Sequence, residues 1–330
     1  MKKKIFSVIL CAVMALDLVA CGSSAANTAA NTTATAANTA AANTTTATAA
    51  NTTTANTAAA NNTTGNTTAS ASQTVPTGVE DGVLTVAMEC AYAPYNWAQP
   101  DNSNDAVPIK DSDQYANGYD IMMAKKLCEA NGWKLEVVQL DWDSLIPAVQ
   151  SGVVDAVIAG QSMTADRAKQ VDFAGPYLYA SIVCLTKKSS KYASAKGISD
   201  LSGGTCTSQL GTIWYDSCLP QIKDAKIQTA AESAPAMLMA LETGTVDFVC
   251  TDMPTAQGAV SAYNDLTILD FSSNSTDNFQ VSDEDVNIGI SVRKGNTYLK
   301  DAMNAVLSKM TADDFNAVMA DAIKIQPITN

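Results

Sequence analysis

The stretch AGQSMTADRAKQVDFAGPY, residues 159–177, sets one arginine, Arg167, just after Gly160, Ser162 and Thr164. A guanidinium is a planar double donor that matches a carboxylate. Gly160 and Ser162 stand between a strand end and a helix start, where free N–H groups and the helix dipole favour an anion. Glycine at 160 lets the backbone approach closely. Thr164 reads as the helix N-cap, with Asp166 in the first turn. On spacing alone, two readings stay open: an anion holder, or a solvated helix charge. Two further acids, Glu89 and Asp252, stand at the ends of predicted strands. The chain has no histidine, which excludes Ser-His-Asp and Cys-His catalysis and every His-containing metal site.

These residues sit on an alternating pattern. Strands are predicted in GVLTVAME, KLEVVQL, VDAVIAG, GGTCTSQL, VDFVCTD and VNIGISVRKG, with one long strand-like run in YLYASIVCLTKK. Helices are predicted in YDIMMAKKLCEANG, WDSLIPAVQSG, TADRAKQ, TIWYDSCLPQI, PAMLMALETG, MPTAQGAVSAY, NTYLKDAMNAVLSKM and ADDFNAVMADAI. Such alternation implies an α/β fold with parallel sheets covered on both faces. SGVVDAVIAG and TGTVDFVCTD echo each other: each follows a helix, runs through an apolar strand and stops at a polar end. Doubly wound sheets bind ligands at that end of a strand. Two such ends predict two lobes facing a cleft.

The 330 residues carry a formal charge of −13, which argues against a nucleic-acid partner. MKKKIFSVILCAVMALDLVAC reads as a leader: three lysines, an apolar run too short to span a bilayer, and Asp17 within it. LVAC resembles a bacterial lipobox, so residues 1–20 are expected to be removed and Cys21 to carry lipid. Residues 23 to about 75 are almost entirely Ala, Asn, Thr and Ser, and cannot offset the entropy of ordering. As a flexible chain they would reach roughly 40 Å. The body keeps Cys90, Cys128, Cys184, Cys206, Cys218 and Cys250, without a C-x-x-C pair. They read equally as partners in disulfides of an exported protein or as small buried apolar residues. No metal or cofactor is expected.

AYAPYNW (91–97), GYDIMMAKKL (118–127), the long block DWDSLIPAVQSGVVDAVIAGQSMTADRAKQVDFAGPY (141–177), LGT (210–212) and VDFVCTD (246–252) together resemble the family-3 extracellular solute-binding proteins, which feed polar amino acids to ABC importers. The resemblance spans about residues 80 to 325. It implies a two-lobe periplasmic-binding-protein type II fold, each lobe a doubly wound, mostly parallel sheet, with two strands as the hinge. Residues 79–181 and 287–330 would form one lobe and 182–286 the other, after a lipidated Cys21 and linker over 21–78.

The resemblance also assigns roles. Arg167 would clamp the α-carboxylate with Gly160 and Ser162, and Asp252 would take the ammonium. Asp252 equally suits an N-cap before Pro254, and both roles are compatible. The N–H groups of Thr212 and Ile213 would reach the carboxylate from the second lobe. Tyr92 and Trp142 would sandwich the ligand side chain, with Glu89 beside them selecting arginine, lysine or another polar group. Glu89 equally suits a protein cation or solvent. Gln161 would also reach the side chain, while Tyr95, Asn96 and Trp97 shape the cleft wall.

Two departures stand out: Met122 replaces a usual acid, and residues 98–117 form an insertion-like loop. The expected protein is a monomeric, non-enzymatic binding lipoprotein on the outer face of the plasma membrane, with an ABC permease as partner. A cyclohexadienyl dehydratase-like enzyme and a sensory binding protein are the alternatives.

Overall fold

The structure is a computed structural model and describes residues 75–327, so the leader, Cys21 and the linker up to residue 74 lie outside it. Strand β1 (Val83–Met88) is followed by a small antiparallel sheet of β2 (Ala91–Tyr92), β3 (Asn96–Gln99), β4 (Val107–Pro108) and β5 (Tyr115–Asn117). Helix α1 (Tyr119–Asn131) stops at Gly132, whose φ of 72° suits a residue without a Cβ. Strand β6 (Lys134–Gln139) follows, then a 3-10 turn at Trp142–Ser144 and α2 (Leu145–Ser151). The strand expected over VDAVIAG shortens to β7 (Ala156–Val157). Helix α3 (Ala165–Gln170) is capped by Thr164, whose hydroxyl accepts from the N–H of Arg167. Strand β8 (Val171–Tyr179) completes this half.

The second half begins with β9 (Ile182–Lys187) and β10 (Thr205–Thr207), followed by β11 (Lys226–Ile227) and α4 (Ala234–Glu242). Then come β12 (Phe248–Asp252), α5 (Met253–Ala262), β13 (Leu266–Leu269) and the short α6 (Asp283–Val286). Strand β14 (Asn287–Arg293), α7 (Thr297–Leu307) and α8 (Ala312–Ile325) close the fold.

Two five-stranded sheets form the two lobes, in the orders β6-β1-β7-β14-β8 and β11-β10-β12-β9-β13. In the first, β1 pairs in parallel with β6 and β7, and β14 runs antiparallel to β7 and β8. In the second, β10 pairs in parallel with β11 and β12, and β9 runs antiparallel to β12 and β13. The chain leaves the first sheet after Tyr179, enters the second at Ile182, and returns at Asn287. Alternation sorts the second sheet's side chains: Ile182, Cys184, Cys206, Phe248 and Cys250 pack one core, while Val183, Leu185 and Val249 pack another. The first sheet has one core, to which α1, α2, α7 and α8 contribute.

Besides the shortened VDAVIAG strand, the structure differs from the sequence-based expectation at three places. The run YLYASIVCLTKK is split between β8 and β9, which belong to different sheets, and β8 begins earlier, at Val171. TIWYDSCLPQI is not an α-helix but a π-type turn at Trp214–Cys218 and a 3-10 turn at Leu219–Gln221. Pro220 lacks the N–H that a continuing helix would need. Residues 98–117 are no open loop: β3, β4 and β5 pair within them, and Ile109 bridges Val137 of β6. Of the two readings left open for the six body cysteines, the structure shows buried free thiols. None of the helices among the described residues is long and apolar enough to cross a membrane.

Candidate functional site

The site gathers where the two sheets face each other. Arg167 lies on α3 of the first lobe, half-buried, with its guanidinium turned inward. Nη1 donates to the carbonyl of Ser162 at 2.9 Å, and Nη2 crosses to the carbonyl of Gly211 in the second lobe at 2.9 Å. Its Cζ lies 5.4 Å from the ring centroid of Trp142, within cation–π range. Burial lowers its pKa to about 10, so it stays charged at neutral pH. A cavity of about 400 Å³ opens beside it, lined by Arg167, Gly211, Thr212, Ile213, Asp216 and Ser217 among others.

Asp252 ends β12 and is fully buried. Oδ1 accepts from the N–H of Thr255 at 2.8 Å, so Asp252 caps α5. Oδ2 accepts from the hydroxyls of Tyr92, at 3.2 Å, and Tyr95, at 3.1 Å, both from the first lobe. Burial raises its pKa, and those hydrogen bonds oppose the rise. The Thr255 hydroxyl is buried close by and has no hydrogen-bond partner among the described residues. Tyr95, expected only to shape the wall, is thus also a donor to the site.

Glu89 follows the last residue of β1 and is 8% exposed. Oε2 accepts from Nε2 of Gln209, a second-lobe residue, at 3.4 Å. None of the ion pairs among the described residues involves Glu89 or Asp252. Burial pushes the Glu89 carboxyl up to about 7. The protein-cation and solvent readings of Glu89 are therefore not what the fold shows.

Tyr92 and Trp142 do meet, but not as parallel walls. Their centroids are 6.3 Å apart at 83°, an edge-to-face contact, while Tyr92 stacks on Tyr95 at 5.0 Å. The Tyr92 hydroxyl points at Asp252, and this tilts the ring out of a sandwich. Gly160 departs from expectation too. Its N–H donates to the Tyr177 hydroxyl at 3.0 Å and is not free for an anion. Close approach is what demands a glycine there: φ is 65°, and a Cβ would stand 3.0 Å from the rings of Tyr92 and Tyr95. Gln161 turns away from the cleft, its Oε1 accepting from Ser291 of β14 at 3.3 Å.

Ser162 is buried beside Arg167 and bridges Ile288. The Thr212 hydroxyl donates to the carbonyl of Gln209 at 2.7 Å, closing a tight turn. The N–H groups of Thr212 and Ile213 have no acceptor among the described residues. The fold therefore brings together Arg167, Ser162, Trp142, Tyr92, Asp252, Glu89 and the 211–213 turn. Gln209, Asp120 and Tyr177 were missed. Gln209 directly precedes the LGT motif, and Asp120 lies within GYDIMM; nothing local distinguished Tyr177. No cluster of three or more Cys, Asp or Glu suited to a metal occurs among the described residues.

Comparison with known proteins agrees with this architecture. A probable histidine-binding protein of Campylobacter jejuni is 29% identical over 175 residues, 53% of this chain and 62% of the relative. The chain thus spans less than two thirds of that relative's length. The crystal structure of an amino acid ABC transporter substrate-binding protein of Streptococcus pneumoniae, bound to L-arginine, superposes with a TM-score of 0.61 at 26% identity. That match covers 74% of this chain and 95% of the other. An ancestral amino acid-binding protein described as a precursor of cyclohexadienyl dehydratase gives a TM-score of 0.59 at 28% identity, covering 74% and 97%. The profile of one family matches residues 84–321, most of the chain, and by that match the chain belongs to the bacterial extracellular solute-binding proteins, family 3.

Proposed function

We propose that the protein captures a free amino acid between its lobes, and that the ligand bears a cationic or donor-rich side chain such as that of arginine or lysine. One observation carries the reading: the Arg167 guanidinium packs on Trp142, Trp142 touches Tyr92, Tyr92 bonds to the buried acid Asp252, and a second buried acid, Glu89, is bonded from Gln209 of the other lobe, neither acid having a cation among the described residues. An amino acid supplies the complement of each. Its carboxylate takes the guanidinium donors not used by Ser162 and Gly211, together with the N–H groups of Thr212 and Ile213. Its ammonium takes the place of the Tyr92 hydroxyl on Asp252. Once freed, the Tyr92 ring swings toward a face-on arrangement with Trp142, and the side chain passes between them to Glu89.

Closure follows from the same contacts. Arg167, Ser162 and Glu89 belong to the first lobe, Asp252 and the 211–213 turn to the second. A ligand that touches both lobes stabilises the state in which both reach it. We place residues 79–181 and 287–330 in the lobe that binds first, and 182–286 in the lobe that closes. In the same reading residues 1–20 are a leader, Cys21 carries lipid, and the linker holds the body near the membrane. The captured amino acid then passes to an ABC permease. A sensory role would use the same capture.

The family relatives are chiefly binding proteins, and we assign the site no catalytic step. A thermal-shift screen of the full chain against the twenty amino acids tests the proposal. One or a few should raise Tm, with dissociation constants near or below the micromolar range. A protein that no amino acid stabilises, or that instead dehydrates a cyclohexadienyl acid, overturns it.

A further inference from the structure

Beneath the cleft a buried polar network joins two of its loops, and we infer that Asp120 and Tyr177 are positioning residues that hold the Gly160 loop and the Glu89–Cys90 turn at a fixed spacing. The effect on affinity rests on the amino-acid-binding reading above; the geometry does not. Asp120, in the first turn of α1, is fully buried. Its Oδ1 accepts from the Tyr177 hydroxyl at 2.6 Å and its Oδ2 from Nδ2 of Asn96 at 2.7 Å. Each partner has a second bond on its far side. The Tyr177 hydroxyl accepts from the N–H of Gly160 at 3.0 Å, and Oδ1 of Asn96 accepts from the N–H of Cys90 at 2.7 Å.

One carboxyl thus divides its two oxygens between the loop that leads to Arg167 and the turn that carries Glu89. Both anchored residues are left-handed, Gly160 at φ 65° and Cys90 at φ 55°. For Cys90, which has a Cβ, that conformation needs outside support. Tyr177 is itself fixed: its ring stacks on Tyr119 at 5.6 Å and 13°, and the Tyr119 hydroxyl donates to its carbonyl. A buried network whose members are all paired is rigid, whereas removing one member strands the others. Burial lifts the Asp120 carboxyl to about 7, and the bonds from Tyr177 and Asn96, with the nearby Gly160 N–H, oppose that rise.

The two arms serve different ends of the ligand. The Gly160 loop sets the carboxylate end, which every amino acid shares. The Cys90 turn aims Glu89, which meets only the side chain. Tyr177→Phe removes the first arm alone. Asp120→Asn replaces one acceptor oxygen by a donor amide, which cannot accept from both Tyr177 and Asn96.

Amide hydrogen exchange of the ligand-free full chain, followed by calorimetry with arginine and glutamine well below Tm, tests the inference. Tyr177→Phe should speed exchange at Gly160 about tenfold, as for one net hydrogen bond lost, and leave Cys90 protected. It should weaken both ligands by a similar factor. Asp120→Asn should speed exchange at Cys90 or at both amides and change the arginine-to-glutamine affinity ratio. Unchanged protection at both amides overturns the network. Lost protection with both affinities and their ratio within about twofold of wild type overturns the positioning role. If Asp120→Asn does not fold, Tyr177→Phe decides through Gly160 exchange and the shared affinity loss. If the wild type binds no amino acid, the binding proposal fails, and the exchange data still decide whether the loops are tied.

Discussion

Replacing Glu89 by glutamine is predicted to strengthen the ligand-free fold and to weaken capture of a cationic side chain, both through the same buried charge. The carboxyl has one long bond, from Gln209 at 3.4 Å. Burial lifts its pKa from 4.5 to about 7; the Asp141 charge adds to the rise and the Gln209 bond opposes it. Between those two values the folded protein holds a proton that the unfolded chain has released. Stability therefore falls as pH rises through this window, is fully present below it, and stays lower above it. At about 1.4 kcal/mol per pKa unit, the loss approaches about 3 kcal/mol. Glutamine does not ionise, so Glu89→Gln should match the wild type near pH 4. At pH 8 it should exceed the wild type by up to about 3 kcal/mol, a rise in Tm of roughly 5–10 °C. For arginine the sign reverses. A charge-assisted contact worth about 1.5–3 kcal/mol is lost, weakening binding roughly 10- to 100-fold at pH 8. Wild-type affinity for arginine should also climb with pH through about 7, while the variant's should not. Denaturant melts at pH 4, 6 and 8, with calorimetry for arginine and glutamine, measure all of this. A variant with no gain at pH 8, or with an intact preference for arginine, would show that Glu89 carries no such buried charge.

Gly160→Ala should destabilise the protein by about 1–2 kcal/mol through its left-handed backbone, and weaken ligand binding further by pushing on the Tyr92 and Tyr95 rings; a melt and a titration measure both. Gly258→Ala places a Cβ 2.8 Å from Oε1 of Gln326 and 3.0 Å from Cδ of Pro94, where α5 of one lobe meets the other. It should disfavour closure, seen as a larger radius of gyration in small-angle scattering, and lower affinity in proportion to the closed population lost. Thr311→Ala removes the reciprocal cap of α8 and should cost about 1 kcal/mol in a denaturant melt without changing ligand affinity.

Much of this architecture was legible because it rests on local chemistry. Gly132 and Gly152 end helices in left-handed geometry, Thr164 caps α3, and the echo of SGVVDAVIAG and TGTVDFVCTD marks two corresponding strand ends. What stayed hidden depends on partners far along the chain. That the Gly160 N–H belongs to Tyr177, or that Gln161 faces Ser291, cannot follow from spacing near either residue. Apolar periodicity read 177–188 as one run because both halves are strands; it does not record that the chain changes sheet between them. Burial of Glu89 without a cation likewise emerges only when Gln209 of the other lobe folds over it.

Arg167 is assigned the carboxylate of an amino acid held across the cleft. Calorimetry of wild type and Arg167→Ala, each with arginine and with its decarboxylated amine, tests it most directly. Arginine should lose about 3 kcal/mol, roughly 100-fold, in the variant. The amine should bind wild type weakly and be almost indifferent to the substitution, with the ligand-free variant still folded. Equal affinity of the two proteins for arginine, or an amine that binds wild type as tightly as arginine does, would contradict it.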